Sequence, residues 1–232
     1  MTQTDIDRTL ELVASEPGTG MSLLDEHGRV LYVNDDCLRI FFGNKKTRAE
    51  VEGRTLEELG FDKAWIDERR DLFRTIIENE SECLLRTVWE GHQQFSWIRA
   101  LTPSEERGVD GQLAHVLVVT RRVPAGQESE FLFEHEMPVV HSKMIDLGVL
   151  DILSPRELEV LALIGQGLST KRIAEIMHRS VKTIGNHRLS LGHKLKKSNK
   201  VELALMAREA GLRVDDSGRT RARQEGSGAV SG

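Results

Sequence analysis

The chain has 232 residues, of which 39% are hydrophobic and 30% are charged, and its formal net charge is -5. This length accommodates two domains of ordinary size and a linker, and the composition is that of a globular protein. A run of about 18 apolar residues, which a membrane-spanning helix needs, does not occur. The first residues are polar and acidic, unlike a secretory signal, so we predict a cytoplasmic protein without a membrane partner.

In chain order, residues 1–17 predict a helix or a disordered segment that Pro17 and Gly18 bring to an end. The segment MSLLDEHGRVLYVN then predicts two short strands around a turn, and a short helix and a longer helix follow it. Three β-rich runs come next, CLLRTVWE, QFSWIRAL and LAHVLVVT, and glycine-containing turns separate them. The order over residues 18–123 is therefore two strands, helices and three strands.

Residues 124–153 mix apolar pieces with prolines and glycines, which indicates a linker with some helix. The tail, residues 214–232, is rich in glycine, serine and arginine and has almost nothing to bury, so we predict that it is disordered. The two cysteines, Cys37 and Cys83, have no spaced partners for a metal site, and we interpret them as small buried side chains. We predict no metal.

Each helix of the C-terminal segment, residues 154–213, begins with its own capping residue. Ser154 caps the first helix, Pro155 occupies its first position and Glu157 completes a capping box. The second and third helices are short and separated by a brief turn, which is the pattern of a helix-turn-helix. The caps of the second, third and fourth helices are Ser169, Ser180 and Asn199, and the fourth helix ends at Gly211. We predict an all-α, four-helix domain.

At 100° per residue, the third helix of this domain has an apolar side and an outer face. The outer face has no acidic residue, a glycine that permits close approach, and an asparagine suited to adenine. The apolar side, which we expect in the core, is formed by Val181, Ile184, Leu191 and Leu195. The outer face is formed by Gly185 and by the predicted base contacts Lys182, Asn186, Leu189 and His193.

Basic and hydroxyl side chains flank this face or begin the preceding helix, where phosphates are contacted. The predicted phosphate contacts are Lys171, Arg172, Thr183, Arg188, Lys194, Lys196 and Lys197. Residues 154–213 carry 12 basic and 5 acidic groups, or +7, whereas residues 1–153 carry 17 and 29, or -12. This asymmetry favours a domain that binds double-stranded DNA beside an acidic regulatory domain; the alternative is a helical bundle with a basic exterior.

The C-terminal segment resembles the LuxR-type, or NarL- and FixJ-like, DNA-binding domain. The residues that carry the resemblance are Leu153, Ser154, Arg156, Glu157, Gly167, Ile173, Ala174, Thr183, Ile184, His187, Lys194 and Leu195. Gly185 departs from the family, because many members have a charged or polar residue there that contacts DNA. The resemblance implies a homodimer paired through the fourth helix, and Leu203, Leu205 and Met206 fit that role.

The run from Asp25 to Asn34, DEHGRVLYVN, resembles the opening hairpin of PAS sensor domains. The resemblance implies an α+β domain over residues 18–123, with a five-stranded antiparallel sheet and helices on one face. It also implies a small core cavity, so we expect either no cofactor or a small ligand there, whose identity is unknown. Cys37 lies too early for a flavin-reactive cysteine, and His27, His92 and His115 lie in predicted turns and a strand, where haem-binding relatives use a helix.

A phosphorylation-controlled receiver domain is the rival for the N-terminal half, because Asp35 and Asp36 resemble its acidic pair. That fold needs alternating strands and helices and an acceptor aspartate near position 55, which is Thr55 here. We interpret the two aspartates as helix caps. Glycine-rich phosphate loops and the common hydrolase motifs do not occur, so we predict no enzymatic activity.

We therefore predict a sequence-specific transcription regulator in which the PAS-like domain controls a DNA-binding domain. RNA polymerase and a sensor protein are candidate protein partners. We expect the signal to pass through residues 124–153. A pure protein-interaction module is the alternative, and it would leave the outer face of the third helix unexplained.

Overall fold

The computed structural model describes residues 17–43, 45–101, 114–128 and 137–222. The predicted N-terminal helix or disordered segment lies outside these residues, apart from Pro17. One sheet forms the N-terminal domain, with strand order β2-β1-β5-β4-β3-β6. Strands β1 to β5 pair antiparallel, and β6 pairs parallel to β3. The strands are β1 (Thr19–Asp25), β2 (Val30–Val33), β3 (Glu82–Trp89), β4 (His92–Leu101), β5 (His115–Arg122) and β6 (Val139–His141).

Three helices lie on one face of the sheet: α1 (Asp35–Phe42), α2 (Arg48–Val51) and α3 (Lys63–Glu78). Asn34 fixes the start of α1, because its side-chain oxygen accepts from the backbone N–H groups of Met21 and Cys37. Between these helices and the sheet lies an aromatic core in which Phe61 stacks on Trp65 with ring centroids 4.7 Å apart. The expected five-stranded antiparallel sheet with helices on one face is confirmed.

The connector is more structured than the sequence suggests. Within residues 124–153, β6 adds a sixth strand to the sheet, and β7 (Met144–Ile145) and a 3-10 turn at Gly148–Leu150 follow it. The side chains of Leu147 and Leu150 are buried. The prediction of a linker with some helix is therefore wrong for β6 and β7, and the buried side chains of Ile145, Leu147, Leu150 and Leu153 show that this segment packs in a core shared with the C-terminal domain.

Four helices form the C-terminal domain: α4 (Pro155–Gly165), α5 (Thr170–Ile176), α6 (Val181–Leu195) and α7 (Lys200–Glu209). Each predicted capping residue accepts a hydrogen bond from a backbone N–H group of its helix. The acceptors are the side chains of Ser154, Ser169, Ser180 and Asn199. The predicted four-helix class is confirmed.

The predicted disorder of the tail is wrong for residues 214–222. A 3-10 turn at Val214–Gly218 leads into β8 (Thr220–Arg221), which pairs parallel to β7. Asp216 holds this segment in place, because its buried carboxylate accepts hydrogen bonds from Arg86 on β3. Among the described helices, none is long and apolar enough to cross a membrane.

Candidate nucleic-acid interface

Buried side chains and a short turn set the relative positions of α5 and α6. Ile173 and Ala174 of α5 and Ile184 and Leu191 of α6 are buried in the core of the C-terminal domain. The turn between the helices includes His178 in the left-handed backbone region, and Ser180 then caps α6 with a 3.0 Å bond from the N–H of Thr183. α6 is thereby held with its outer face directed away from the core.

The four predicted base contacts all lie on the exposed surface of α6. Solvent reaches the side chains of Lys182, Asn186, Leu189 and His193. The exposed fraction of Leu189 is 67%. The side chains of the three polar residues make no hydrogen bond or ion pair with any other described residue. Between them, a Cβ atom added at Gly185 would meet no atom within 4 Å. The outer face is therefore open, shallow and free of acidic side chains.

One residue of the predicted apolar side is not buried. Val181 is 54% exposed, whereas Ile184, Leu191 and Leu195 are buried. The assignment of Val181 to the core is wrong because it occupies the first position of α6, where the helix has not yet reached the core.

The predicted phosphate contacts divide into side chains that are exposed to solvent and side chains that are bonded within the domain. Lys171 and Arg172 lie exposed in the first turn of α5, where Arg172 also pairs with Glu175 at 3.0 Å. Lys196 is exposed and Lys197 is half-buried just after α6. The hydroxyl of Thr183 lies 2.8 Å from that of Ser180.

Arg188 and Lys194 have partners inside the domain. Arg188 donates from Nη1 to the hydroxyl of Thr170 at 2.9 Å, which connects α6 to the start of α5. Lys194 Nζ lies 2.7 Å from the carboxylate of Glu157 on α4. Both cations therefore stabilise the arrangement of the helices, and a phosphate would have to compete with Glu157 for Lys194.

Glu157 has a structural role beyond the helix capping that the sequence pattern predicts. Its carboxylate accepts from Ser154 of the capping box, from Ser190 at 2.7 Å and from Lys194. Burial opposes its ionisation, but the hydrogen bonds from Lys194, Ser190 and Ser154 outweigh that cost and lower the pKa of Glu157 to about 2. The ionised carboxylate thus joins the start of α4 to the end of α6.

The predicted dimer residues of α7 occupy different surroundings. Leu203 is 3% exposed and packs in the core of its own domain, so it is not available to a second chain. Met206 is half-buried, and Leu205 is 53% exposed. Val201, one turn before Leu205, is also exposed and was not among the predicted contacts.

A second candidate site is a cavity of about 70 Å³ between the helices and the sheet of the N-terminal domain. Trp65 and Gln94 line it, and both are buried. Trp65 Nε1 and Gln94 Oε1 make no hydrogen bond within the described part of the chain. Arg69 also lines the cavity, with its guanidinium 4.6 Å from the Trp65 ring centroid and 2.8 Å from Glu68. An apolar cavity with an unpaired donor and an unpaired acceptor has the properties of a small-ligand site.

The C-terminal helices coincide with a known sequence family. Residues 151–207 match the family model described as bacterial regulatory proteins, luxR family. These residues form a LuxR-type domain. Over 77 residues the chain is 38% identical to BvgA, a positive transcription regulator of virulence factors, from Bordetella pertussis and from Bordetella bronchiseptica. This match spans 33% of the chain and 37% of BvgA.

Two solved structures resemble larger parts of the chain. A complex of VqmA from Vibrio cholerae with a ligand and DNA is similar over 92% of this chain and 91% of that chain, with 18% identity and a TM-score of 0.48. The PAS domain of BvgS from Bordetella pertussis is similar over 56% of this chain and 95% of that chain, with 16% identity and a TM-score of 0.40.

Several residues that the LuxR-type domain shares with its family have structural roles here. Ile173, Ala174 and Ile184 are core residues, and Glu157 and Lys194 form the ion pair between α4 and α6. The residues of the open outer face, including Gly185, lie outside this shared set. The residues that carry the family resemblance therefore include core residues and the ion pair of the helical scaffold.

Proposed function

We propose that this protein is a transcription regulator that reads duplex DNA through the outer face of α6. The observation that carries the proposal is the exposure of Lys182, Asn186 and His193 on one helix face, without partners among the described residues. An α-helix fits the major groove of B-DNA, where asparagine and lysine side chains can pair with adenine and guanine. Lys171, Arg172, Lys196 and Lys197 surround this face and contact phosphates.

The distribution of charge supports the same function. Residues 154–213, which include most of the LuxR-type domain, carry a formal charge of +7, and residues 1–153 carry -12. Neutralisation of phosphates by basic side chains provides most of the sequence-independent affinity for DNA. The opposite charge of the N-terminal domain keeps that domain away from the duplex.

The test of DNA reading is a double substitution, Lys182→Ala with Asn186→Ala, in the full-length chain. We expect about 100-fold weaker binding to a duplex selected with the wild-type protein, since each base contact contributes about 1–3 kcal/mol. Lys63→Ala is the matched control, because it removes the same charge from an exposed position in the N-terminal domain. Unchanged binding by the folded double variant would favour the pure protein-interaction module.

The N-terminal domain serves as the sensory part, and its cavity holds a small ligand. Typical ligand pockets measure about 300–1,000 Å³, so a cavity of about 70 Å³ accepts only a molecule of a few heavy atoms unless its walls move. Such a ligand would accept a hydrogen bond from Trp65 Nε1 and donate one to Gln94 Oε1. Native mass spectrometry of the full-length protein tests this role, because an added mass identifies a ligand and an apo mass favours a partner protein.

The functional unit is a homodimer that pairs through α7. Val201 and Leu205 are four residues apart, which places two exposed apolar side chains on the same helix face. The same mass spectrum gives the subunit count, and Leu205→Lys is expected to shift that count toward the monomer.

RNA polymerase or a sensor protein in the cytoplasm would be the further partner. We propose no enzymatic activity.

A further inference from the structure

The LuxR-type domain is joined to the sheet of the N-terminal domain by a shared core. Val88 of β3 is buried in the same apolar cluster as Leu147 and Leu150 of the connector and Leu158 and Leu161 of α4. An independent domain on a flexible tether would bury its apolar residues without help from its neighbour. The two domains are therefore packed in a fixed relation.

A buried ion pair reinforces this junction. Arg86 donates from Nη1 and Nη2 to the two carboxylate oxygens of Asp216, each at 3.0 Å, and also to the carbonyl of Gly211 at 2.7 Å. Its Nε donates to Gln93 Oε1 at 2.7 Å. Both charged side chains are almost completely buried, so each neutralises a charge that would otherwise lie unpaired in the interior.

The backbone at the junction approaches too closely for side chains. A Cβ atom added at Gly211 would lie 2.4 Å from the Cβ of Gln93, and one added at Gly91 would lie 2.9 Å from the carbonyl oxygen of Leu147. Glycine at position 211 allows the segment after α7 to approach the β3–β4 hairpin. Glycine at position 91 allows that hairpin to approach the connector at Leu147. We refer to residues 211–222 as the clamp.

Strand β3 separates the clamp from the cavity. Arg86 and Val88 face the C-terminal domain, whereas Leu85 and Thr87, which alternate with them, line the cavity. The hydroxyl of Thr87 donates to the carbonyl of Met144 at 3.3 Å. One strand thus contacts the candidate ligand site on one face and the DNA-binding domain on the other.

Glu68 provides a second connection from the cavity wall. Its Oε2 accepts from Arg69, which lines the cavity, and from the hydroxyl of Ser142 at 2.6 Å. Its Oε1 accepts from the backbone N–H of Lys143 at 2.5 Å. The carboxylate therefore fixes the start of residues 142–146, which we call the relay segment.

The relay segment is bonded in turn to the clamp. Arg219 donates to the carbonyl of Ser142 at 2.9 Å and pairs with Asp216 at 3.1 Å. The N–H groups of Thr220 and Ala222 donate to the carbonyls of Lys143 and Ile145 at 3.1 and 2.9 Å. A continuous series of polar contacts therefore connects Arg69 in the cavity wall to Asp216 in the clamp.

We propose that the clamp docks the DNA-binding domain on the sheet and that Glu68 couples this docking to the state of the cavity through the relay segment. The inference rests on the proposed function, because it assigns a regulatory output to the cavity. A ligand that moves Arg69 changes the acceptor geometry at Glu68. The relay segment then shifts, and the bonds that hold Arg219, Thr220 and Ala222 weaken or strengthen.

Glu68→Gln in the full-length chain tests the coupling, because a glutamine side chain has one acceptor oxygen for three donors. We expect the amide hydrogens of Thr220 and Ala222 to exchange about tenfold faster than in the wild type. Glu57→Gln is the matched control, since Glu57 pairs with Arg70 of α3, the helix that carries Glu68, and does not contact the relay segment. In Glu57→Gln, the amide hydrogens of Thr220 and Ala222 should exchange at the wild-type rate.

The amides of the β4–β5 ladder serve as the internal reference. Faster exchange confined to the clamp supports the coupling, whereas equal acceleration in the ladder means general destabilisation and overturns it. Unchanged exchange at Thr220 and Ala222 in Glu68→Gln also overturns it. Trp65→Phe provides a second test from inside the cavity, because it keeps an aromatic ring against Phe61 but weakens the contact with the Arg69 guanidinium, which lies 4.6 Å from the Trp65 ring centroid.

For Trp65→Phe we expect about threefold faster exchange at the same two amides, and an effect limited to the N-terminal domain would contradict the proposal. DNA affinity is measured separately on a duplex selected with the wild-type chain. A wild type that binds no duplex refutes the proposed function, and the exchange data still decide the coupling. If the wild type binds, Glu68→Gln should change its affinity by about threefold or more, and Glu57→Gln should not.

Discussion

The two candidate sites present their unpaired polar groups in opposite settings. In the C-terminal domain, Lys182, Asn186 and His193 lie on an exposed helix face. In the N-terminal domain, the unpaired atoms Trp65 Nε1 and Gln94 Oε1 are buried and belong to residues that line a cavity of about 70 Å³. Unpaired groups on a surface remain hydrated until a large partner arrives, whereas unpaired buried groups carry a permanent cost unless a small molecule enters. This difference fits the two proposed partners, duplex DNA for the exposed face and a small ligand for the cavity.

The largest expected effect concerns the ion pair that supports the exposed face. Glu157→Gln should lower the free energy of unfolding at pH 7 by at most roughly 3 kcal/mol, the equivalent of a pKa change from 4.5 to about 2. Because the folded-state pKa is depressed, this contribution is present above about pH 4.5 and is lost as the pH falls toward 2. Urea unfolding of both proteins between pH 7 and pH 3 measures it.

The control for that prediction is Glu175→Gln, which removes an exposed carboxylate paired with Arg172 at 3.0 Å. Exposed pairs contribute about 0–1 kcal/mol, so this variant should unfold almost like the wild type. If both substitutions had the same effect at every pH, the assignment of Glu157 as the link between α4 and α6 would be wrong.

The second prediction concerns the interior of the N-terminal domain. Gln94→Met should raise the free energy of unfolding of the ligand-free protein by about 1–2 kcal/mol, because it removes a buried acceptor without a partner and keeps the side-chain volume. Gln93→Met is the matched control on the opposite face, where the side chain bonds to Arg86 and to the carbonyl of Val123. Chemical unfolding should show destabilisation in that control. A loss of stability in Gln94→Met would mean that water already satisfies the cavity.

The third prediction distinguishes an exposed lysine of the DNA-binding domain from a lysine that is paired with a carboxylate of the same domain. Lys171→Gln should reduce the slope of log affinity against log salt by about 1, because one phosphate contact is lost. Lys194→Gln should leave that slope nearly unchanged and lower stability, since Lys194 pairs with Glu157. Fluorescence anisotropy across a salt series distinguishes them, and equal slopes for the two variants would remove the distinction between their roles.

The smallest expected effect concerns the glycine in the exposed face. Gly185→Ala should stabilise α6 by about 0.5–1 kcal/mol, because alanine is the better helix former and its methyl group meets no atom within 4 Å. The same methyl group should weaken DNA binding by preventing close approach. Gly192→Ala in the same helix is the control, because its Cβ would lie 2.9 Å from the carbonyl oxygen of Lys197 and should destabilise the fold. Thermal unfolding and DNA titration test both, and tighter DNA binding by Gly185→Ala would contradict a close-approach role.

Local features of the structure could be predicted from the sequence. Each capping side chain accepts from an N–H group three positions later, so residue type and spacing are sufficient to locate the four helix starts at Ser154, Ser169, Ser180 and Asn199. The outer face of α6 follows from helical periodicity in the same way. The prediction that the strands of the N-terminal domain form one antiparallel sheet required the PAS resemblance in addition to periodicity.

Contacts between distant parts of the chain could not be predicted in this way. Arg86 and Asp216 are 130 positions apart, and the polar composition of the tail indicated disorder because it does not reveal a buried partner. Lys194 carries the same charge as Lys171, but only the structure shows its bond to Glu157, 37 positions earlier. Strand β6 likewise forms by pairing with the edge of β3, which is distant in sequence.

The pairing of Arg86 with Asp216 also sets the order of events during synthesis of the chain. At about 5–20 residues per second, Asp216 is added roughly 6–26 s after Arg86. Until then, the guanidinium on β3 has no carboxylate to pair with and stays hydrated. The helices of the DNA-binding domain end at Glu209, before Asp216 is made. The Arg86–Asp216 pair is therefore among the last contacts to become available, and a chain that stops before residue 216 contains the four DNA-binding helices without the buried ion pair that helps to join them to the sheet.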